Sequence, residues 1–496
     1  MNIKLFAHKQ WYHQRFDGAP MYISMIGEAE IVKEDRKPTG TEARWRFCFF
    51  DNGADWYLDQ EDIDRGAEVI CKLAQTSETV SEDLMRQWQE DERAFDDYFY
   101  AFAPQRLLSL SDQELFQEFE CYHNLSKKRF TSSSIIDHFA LGTDQKIADL
   151  LRLEAGPFEK ESNFTNVFSI ATAPVHQSFI NEAEISLLRI AILVQSGKYI
   201  DDPDIIDLLT IHKQAFFWTK NNYRKAQVLS LDHFKEEIAA WLRTGVDLKE
   251  MLKKIEGTSV ANQEAKEQLF ASYPLRPILL RLLKISEDFT RWQDERKRAT
   301  YFSIHLGTML MSEMAKRRGV DPELTKQMLL EEVGSWFIDN TLGIDELRER
   351  QNRCVAFWKE GETRVYTGSE EFDGIHSILL GENKEDDAQD LRGLVACLGR
   401  ARGTARIVKS VEEISKVQDG DILVAVMTRP DYVVAMKKAA AIVTDEGGIT
   451  SHAAIVSREL GVPCIIATKK ATKIFKDGDF LEVNAHHNWV RKITTI

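Results

Sequence analysis

A histidine close to the C-terminus has neighbours that suit phosphate chemistry. Residues 444–463 read TDEGGITSHAAIVSRELGVP, and the histidine of this segment is His452. The apolar run over residues 440–444 predicts a short buried strand. Gly447 and Gly448 follow the strand, and a tight turn is predicted there because glycine adopts positive φ without steric cost.

A helix is predicted directly after this turn, over residues 451–460. Thr450 or Ser451 is suited to cap the helix, and Gly461 suits a left-handed stop after its last turn. His452 then lies in the first turn, where free backbone N–H groups and the positive end of the helix dipole favour an anion. A histidine in such a place can attack a phosphate and carry the phosphoryl group covalently. The alternative interpretation is a capping turn that contains a histidine by chance.

The sequence on both sides of the histidine favours the catalytic interpretation, because it follows a known pattern from about residue 395 to 496. The segments that carry the pattern are residues 399–408, residues 420–428 followed by Pro430, residues 447–463 and residues 476–483. Together they resemble the phosphohistidine (swivelling) domain of the phosphoenolpyruvate-utilising (PEP-utilising) enzymes. This family includes PEP synthase, pyruvate phosphate dikinase, rifampin phosphotransferase and enzyme I of the sugar phosphotransferase system.

The resemblance implies a role for each residue of the turn. His452 would be the phosphorylated residue, and Thr450 would orient its imidazole ring. Gly447, Gly448 and Ser451 would form the phosphate-binding turn.

The wider sequence predicts a multidomain protein, with a mainly α-helical N-terminal body that has a small β-rich start, followed by a compact α/β domain. We expect a β-rich segment over 1–60, a helical central domain over 61–380, a linker over 381–394 and the phosphohistidine domain over 395–496. A tethered domain can move between two sites with its linker as a hinge. The linker can equally be an ordinary boundary without such movement.

Hydrophobic spacing predicts the elements of the first 380 residues. Residues 21–26 and 45–50 read as short strands. Apolar residues at three- and four-residue spacing predict helices over 61–73, 81–102, 111–128 and 183–193. Residues 278–317 read as two long helices in series, with Pro277 at the helix start.

After residue 395 the pattern changes to short strands that alternate with helices. Strands are predicted over 405–409, 421–426, 440–444, 463–467 and 479–484, and helices over 430–438 and 451–460.

The composition restricts the class of protein. The net charge is −15, which argues against nucleic-acid binding because a phosphate backbone needs a basic surface. No apolar run approaches the roughly 18 residues of a membrane span, and the first residues lack the apolar core of a signal peptide. The six cysteines form no Cys-x-x-Cys pair, which indicates reduced thiols and no zinc site. The sequence therefore predicts a cytoplasmic protein without a metal site.

A source of the phosphoryl group is not recognisable in this sequence. Residues 1–390 contain no glycine-rich phosphate loop of the P-loop or ATP-grasp kind, and we expect this polypeptide to lack the PEP-binding barrel that follows the phosphohistidine domain in larger family members. We therefore expect no cofactor on this chain, and Mg²⁺ and ATP on a separate ATP-grasp-type subunit.

The helical body carries a second, shorter resemblance. Residues 216–223, 295–298 and 315–320 are similar to the central helical region of PEP-synthase-like and rifampin-phosphotransferase-like proteins. In the rifampin enzymes that region binds the acceptor, so the resemblance implies that this body binds a small-molecule acceptor or docks a partner.

Other candidate residues have ordinary structural interpretations. Trp218 and Tyr223 are expected to be core aromatic residues. Arg296, Lys297 and Arg298 could receive a phosphate, but a solvated helix face is the favoured interpretation. No role is assigned to the histidines at His212, His305, His486 and His487.

These expectations combine into one favoured function and two alternatives. The favoured hypothesis is a phosphotransferase subunit, an enzyme that carries a phosphoryl group on His452 from an ATP-grasp partner to an unidentified acceptor. The first alternative is a PEP-dependent phosphocarrier relay that resembles enzyme I. The second alternative is a catalytically silent binding or regulatory module.

Overall fold

The protein has a mainly helical body with an N-terminal sheet, and a second sheet in its C-terminal region. A computed structural model describes residues 3–7, 9–32, 38, 40–156, 161–380, 390–448, 451–486 and 488–493. The predicted fold class is confirmed at this level, a helical body with a small β region followed by an α/β region. In the described part of the chain, no helix combines the length and the apolarity needed to cross a membrane.

The N-terminal sheet is antiparallel and has five strands, in the order β1-β3-β2-β4-β5. Its strands are β1 (Trp11–Phe16), β2 (Trp45–Phe50), β3 (Ala54–Asp59), β4 (Cys354–Lys359) and β5 (Glu362–Thr367). The last two strands come from the range predicted to be helical. β4 is nearly all buried and pairs with β2, so it is a central strand whose partner is about three hundred residues away in sequence.

Fifteen helices of the described residues precede the C-terminal sheet. They are α1 (Pro20–Ile31), α2 (Gln60–Thr76), α3 (Val80–Ala101), α4 (Asp112–Ser133), α5 (Ile135–Ala155), α6 (Glu161–Thr172), α7 (Phe179–Gln195), α8 (Pro203–Phe216), α9 (Leu231–Thr244), α10 (Leu248–Ser272), α11 (Pro277–Arg318), α12 (Pro322–Thr325), α13 (Val333–Phe337), α14 (Ile344–Asn352) and α15 (Ser369–Leu380).

Two predictions for this region are wrong. Residues 21–26 form part of α1 and not a strand, because Pro20 supplies a preset first helical residue and the segment packs against α4. The region from 278 to 317 is one helix of 42 residues, about 63 Å long at 1.5 Å per residue. Pro277 starts it as predicted, and Gly319 ends it in the left-handed conformation with φ 64°.

The long helix α11 passes through two hydrophobic cores. Its first half packs Phe289 and Trp292 among apolar residues of α2, α5 and α6. Its second half packs Leu310 and Met314 among residues of α1, α3 and α4. The middle of α11 is therefore fixed from both ends, and this is the part that faces the C-terminal domain.

The C-terminal sheet has eight strands, in the order β6-β13-β12-β8-β9-β10-β11-β7. Its strands are β6 (Asp390–Leu391), β7 (Leu394–Cys397), β8 (Arg400–Val408), β9 (Ile422–Ala425), β10 (Ala441–Thr444), β11 (Cys464–Ile466), β12 (Phe480–Asn484) and β13 (Trp489–Lys492), and its helices are α16 (Val433–Lys438), α17 (His452–Leu460) and α18 (Ala471–Ile474). β8 to β11 are parallel neighbours. All five predicted strands and both predicted helices are present.

The start of this sheet overlaps the segment predicted as a linker. β6 and the first residue of β7 lie within residues 381–394. Residues 381–389 of that segment lie outside the described residues.

Candidate functional site

His452 is the first residue of α17, after the turn that follows β10. Gly447 has φ 119°, a conformation that favours glycine. Ser451 is the helix cap, and its Oγ accepts a hydrogen bond from the Ala454 N–H at 3.4 Å. Gly461 ends the helix in the left-handed conformation. The predicted sequence of strand, turn and capped helix is therefore confirmed. Thr450 lies outside the described residues, so its role stays a prediction.

A residue that follows the neighbouring strand β9 forms a hydrogen bond with the imidazole of His452. Its Nδ1 lies 2.9 Å from Oγ1 of Thr428, a buried residue just after β9. β9 and β10 are adjacent and parallel, so their carboxyl ends bring Thr428 and the histidine turn together. Thr428 enters the sequence-based prediction only as part of the Thr428-x-Pro430 turn that carries the family resemblance. Its position just after the strand predicted over 421–426 was the signal for this contact.

Two cations lie close enough to act on His452. Burial, followed by the charges of Lys297 and Arg429, holds the pKa of His452 well below its ordinary value. The imidazole is therefore neutral near pH 7, which is the form that has a free nitrogen lone pair. Burial and the charge of Arg429 lower the pKa of Lys297 to about 8.

Two cavities meet at His452, between the C-terminal domain and the body. We call the first the sheet-side cavity. It has a volume of about 220 Å³ and is lined by the histidine turn, by Thr428 and Arg429, and by body residues that include Tyr12, Trp56 and Tyr223. Gln293, Lys297 and His452 line both cavities.

The sheet-side cavity contains a strong ion pair. Arg296 donates two hydrogen bonds to Asp137, at 2.8 and 2.7 Å. The expectation of a solvated helix face is therefore wrong for Arg296 and Lys297, which line the cavity, whereas Arg298 is exposed as expected. Helical periodicity alone did not show which face of α11 would be covered by another domain.

We call the second cavity the helix-side cavity. It has a volume of about 270 Å³ and is lined by α7, α10, α11, α16 and α17. α17 presents His452, Ile455, Val456 and Glu459 to it, the spacing of one helix face. Asp294 lines it from α11.

Several polar contacts hold the C-terminal domain against the body. Asp17 accepts a hydrogen bond from the Val411 N–H at 3.2 Å and pairs with Arg429 at 3.2 Å, with both side chains buried. Lys437 pairs with Glu184 at 3.3 Å near the helix-side cavity.

The turn itself also touches the body. A Cβ atom added at Gly448 would lie 2.0 Å from Oδ2 of Asp144 and 3.0 Å from the backbone oxygen of Ala140, both in α5. The second glycine of the turn therefore permits a close approach of the two domains.

The remaining candidate residues mostly have structural roles. Trp218 is buried and donates to the backbone oxygen of Ala215 at 2.8 Å, as expected for a core residue. Tyr223 is partly buried but lines the sheet-side cavity. His212 is buried beside Ser186, and its pKa is lowered to about 4 by burial.

His305 packs against Phe217, with ring centroids 4.9 Å apart. His486 lies in the turn between β12 and β13, and His487 lies outside the described residues. Within the described ranges, no group of three or more His, Cys, Asp or Glu side chains is arranged to hold a metal ion.

Comparison with known proteins agrees with the geometry of this site. Residues 417–488 match the family described as PEP-utilising enzyme, mobile domain. This match covers most of the C-terminal domain, which we call the mobile domain from here on. His452, Thr428 and Arg429 all lie inside the matched part of the mobile domain.

Relatives of the mobile domain occur in PEP synthases. The chain is 62% identical over 94 residues to a probable PEP synthase of Archaeoglobus fulgidus, a match that covers 19% of this chain and 12% of the relative. It is 53% identical over 111 residues to the PEP synthase of Pyrococcus furiosus, covering 22% and 14%. It is 52% identical over 163 residues to the PEP synthase of Deinococcus radiodurans, covering 29% and 21%. The chain thus spans about a fifth or less of the length of these relatives, and the similarity supports a phosphotransferase family.

Proposed function

We propose that this chain is a phosphotransferase subunit that carries a phosphoryl group on His452. The observation that supports the proposal most directly is the hydrogen bond between Nδ1 of His452 and Thr428, at the start of a helix and beside two cations. The match to the mobile domain and the similarity to PEP synthases agree with it.

The loading step uses the ring nitrogen that Thr428 leaves free. When Nδ1–H donates to the threonine hydroxyl, Nε2 keeps its lone pair and attacks the phosphorus atom. The Nε2–P bond forms and the bond from phosphorus to the donor oxygen breaks. Lys297, Arg429 and the N–H groups at the start of α17 offset the negative charge of the phosphoryl group.

In the transfer step, the sheet-side cavity holds the acceptor. Its walls combine the histidine turn with aromatic residues and the Arg296–Asp137 pair, which suits a small molecule with a ring and polar groups. The acceptor oxygen forms a bond to phosphorus, the Nε2–P bond breaks and the acceptor proton passes to solvent or to a carboxylate of the cavity. His452 leaves as a neutral imidazole.

The donor is ATP, bound with Mg²⁺ on an ATP-grasp-type partner. The position of His452 between the two cavities suits transfer to an acceptor, and loading requires the mobile domain to leave this position. The alternative donor is PEP, bound on a separate partner protein, as in a relay that resembles enzyme I.

The test is labelling of the full chain in the presence of a purified ATP-grasp protein and ATP that carries ³²P in both its β- and γ-phosphates, with ³²P-PEP and a PEP-binding barrel protein in parallel. We expect acid-labile, base-stable label from ATP, absent in His452→Ala and present in His486→Ala. Label from PEP alone would favour the relay. Label that persists in His452→Ala would refute the phosphocarrier, and the absence of label from either donor would favour the silent module.

A further inference from the structure

The helix-side cavity takes no part in the transfer described above, yet it is bounded by both domains. The body contributes α7, α10 and α11, and the mobile domain contributes α16 and α17. Thr428 and the glycines of the histidine turn line only the sheet-side cavity. A molecule in the helix-side cavity would therefore contact the face of α17 that begins at His452 and continues through Ile455 and Glu459, but not the glycines of the turn.

The walls of this cavity are mostly apolar. Met251 and Ile255 of α10 face Val433 of α16 and Ile455 of α17 across it. Burial of apolar surface is worth about 25 cal/mol per Å², so a ring-sized apolar molecule gains most of its affinity here from these side chains. The volume of about 270 Å³ lies near the lower end of ordinary ligand pockets.

Asp294 supplies the polar group. Its Oδ2 accepts a hydrogen bond from the Phe179 N–H at 2.8 Å, and this is its only hydrogen bond among the described residues. Lys297 on α11, Glu182 on α7 and Glu459 on α17 are the charged groups that act on it, and burial raises its pKa to about 7. An ammonium group would keep this carboxyl ionised, and charge complementarity therefore favours an amine.

Two of the other charged residues of the cavity, Lys437 and Glu459, have polar partners on α7. Lys437 pairs with Glu184, and Glu459 accepts a hydrogen bond from Asn181 at 3.3 Å. Lys254 is exposed, and the charge of Lys297 acts on both Asp294 and His452. Among the described residues, the other carboxyl oxygen of Asp294 accepts no hydrogen bond, so it can receive a donor from a ligand in this largely apolar space.

We propose that the helix-side cavity is a binding site for a small apolar molecule that carries one amine, with Asp294 as its counter-ion, and that the bound molecule holds the mobile domain against the body. The second part rests on the proposed function, because it presupposes that the domain leaves this position to be loaded. A ligand that contacts both domains binds the docked arrangement and shifts the population toward it. Such a molecule would slow the loading of His452 without contacting the acceptor.

Binding is tested directly on the full unphosphorylated chain by equilibrium dialysis. The probes are 2-(1-naphthyl)ethylamine and 1-ethylnaphthalene, which share the ring system and differ in the amine. We expect Asp294→Asn to weaken binding of the amine at least tenfold and to change binding of the hydrocarbon less than twofold. If Asp294→Asn weakened binding of both probes equally, or did not weaken binding of the amine, the assignment of Asp294 would be overturned.

Two matched pairs of variants locate the probe. Val433→Trp fills the cavity and should weaken binding of both probes at least tenfold. Val434→Trp changes the exposed neighbour and should leave binding of both probes unchanged. Ile255→Trp and the exposed Val260→Trp repeat the comparison from the body side, in case one variant fails to fold. Binding that survives both cavity-filling variants would place the probe elsewhere and overturn the site.

The effect on domain movement is measured by amide hydrogen exchange of the face of α5 that contacts Gly448, because α5 lines the sheet-side cavity and not the helix-side cavity. We expect saturating 2-(1-naphthyl)ethylamine to slow this exchange at least fivefold in the unmodified chain and less than twofold in Val433→Trp. An unchanged rate with the amine bound would overturn the bridging role. Failure of the proposed function is distinct, because binding is measured without any phosphate.

Discussion

At the scale of single residues, the hydroxyl of Thr428 sets the orientation of the reactive ring. We expect Thr428→Val to lower the rate of His452 phosphorylation about tenfold, since loss of one hydrogen bond of about 1.4 kcal/mol corresponds to that factor. Thr428→Ser keeps the hydroxyl and should stay within about threefold of the original rate. Initial rates of ³²P incorporation measure both variants, and equal rates for valine and serine would contradict the role.

Lys297 gives the reaction a dependence on pH. Its pKa is about 8, so it is charged below that pH and loses its charge as the pH rises through it. We expect phosphoryl transfer to decline above about pH 8, and Lys297→Met to be slower and to lack this decline. The pKa of His452 lies well below 6.5, so no loss is expected between pH 6.5 and 8. A pH–rate profile of both proteins checks this, with Lys253→Met as a control at an exposed lysine that lines neither cavity.

These two residues show where sequence reasoning about the site ends. His452, Ser451 and Gly447 were predicted because they are close in sequence and belong to one strand, turn and helix. Thr428 and Lys297 meet the histidine only through strand pairing and domain contact. A sequence without the tertiary structure does not specify such contacts.

At the scale of elements, Gly448 lets the histidine turn approach α5. We expect Gly448→Ala to weaken the docked arrangement, because the added Cβ would lie 3.0 Å from the backbone oxygen of Ala140 and even closer to Asp144. Weaker docking would expose the face of α5 that contacts Gly448, and faster amide hydrogen exchange there would report it. Gly374→Ala, a glycine of α15 with open space around it, is the control and should leave exchange in α5 unchanged.

Another glycine sets the distance between two helices of the body. A Cβ at Gly307 of α11 would lie 2.3 Å from the hydroxyl oxygen of Tyr122 in α4. We expect Gly307→Ala to lower the free energy of unfolding by about 1–3 kcal/mol, the usual cost of overpacking. A Cβ at Gly257 of α10 would have no atom within 4 Å, so Gly257→Ala should raise the free energy of unfolding by up to about 1 kcal/mol. Urea denaturation measures both, and the same sign for both variants would contradict this account.

The elements themselves were predicted unevenly. In the C-terminal region, short apolar runs separated by glycine and proline predicted the positions of the strands and helices correctly, because each run forms a single element. In the N-terminal sheet, β2 pairs with β4 from the far end of the body, and the local sequence pattern does not predict that pairing. α1 was misread because its apolar residues are spread around the whole helix, most of which is buried.

At the scale of the whole molecule, Asp17 ties the mobile domain to the N-terminal segment. Its pair with Arg429 is buried, so Asp17→Asn leaves an uncompensated charge, which costs about 3–5 kcal/mol in comparable pairs. We expect a larger radius of gyration by small-angle X-ray scattering and faster hydrogen exchange of α17 in this variant. Lys437→Ala breaks the more exposed pair with Glu184 and should cost less than about 1 kcal/mol. An unchanged docked arrangement in Asp17→Asn would argue against this contact as a restraint.

The continuous helix α11 has a consequence for how this protein can vary. One residue inserted into an α-helix turns everything beyond it by about 100°. In α11 such an insertion would misalign one of the two cores that fix its halves, and an insertion before Lys297 would also rotate this lysine relative to the core of the first half. We therefore expect natural variants of this chain to gain or lose residues in the connections between helices and to keep the length of α11 constant.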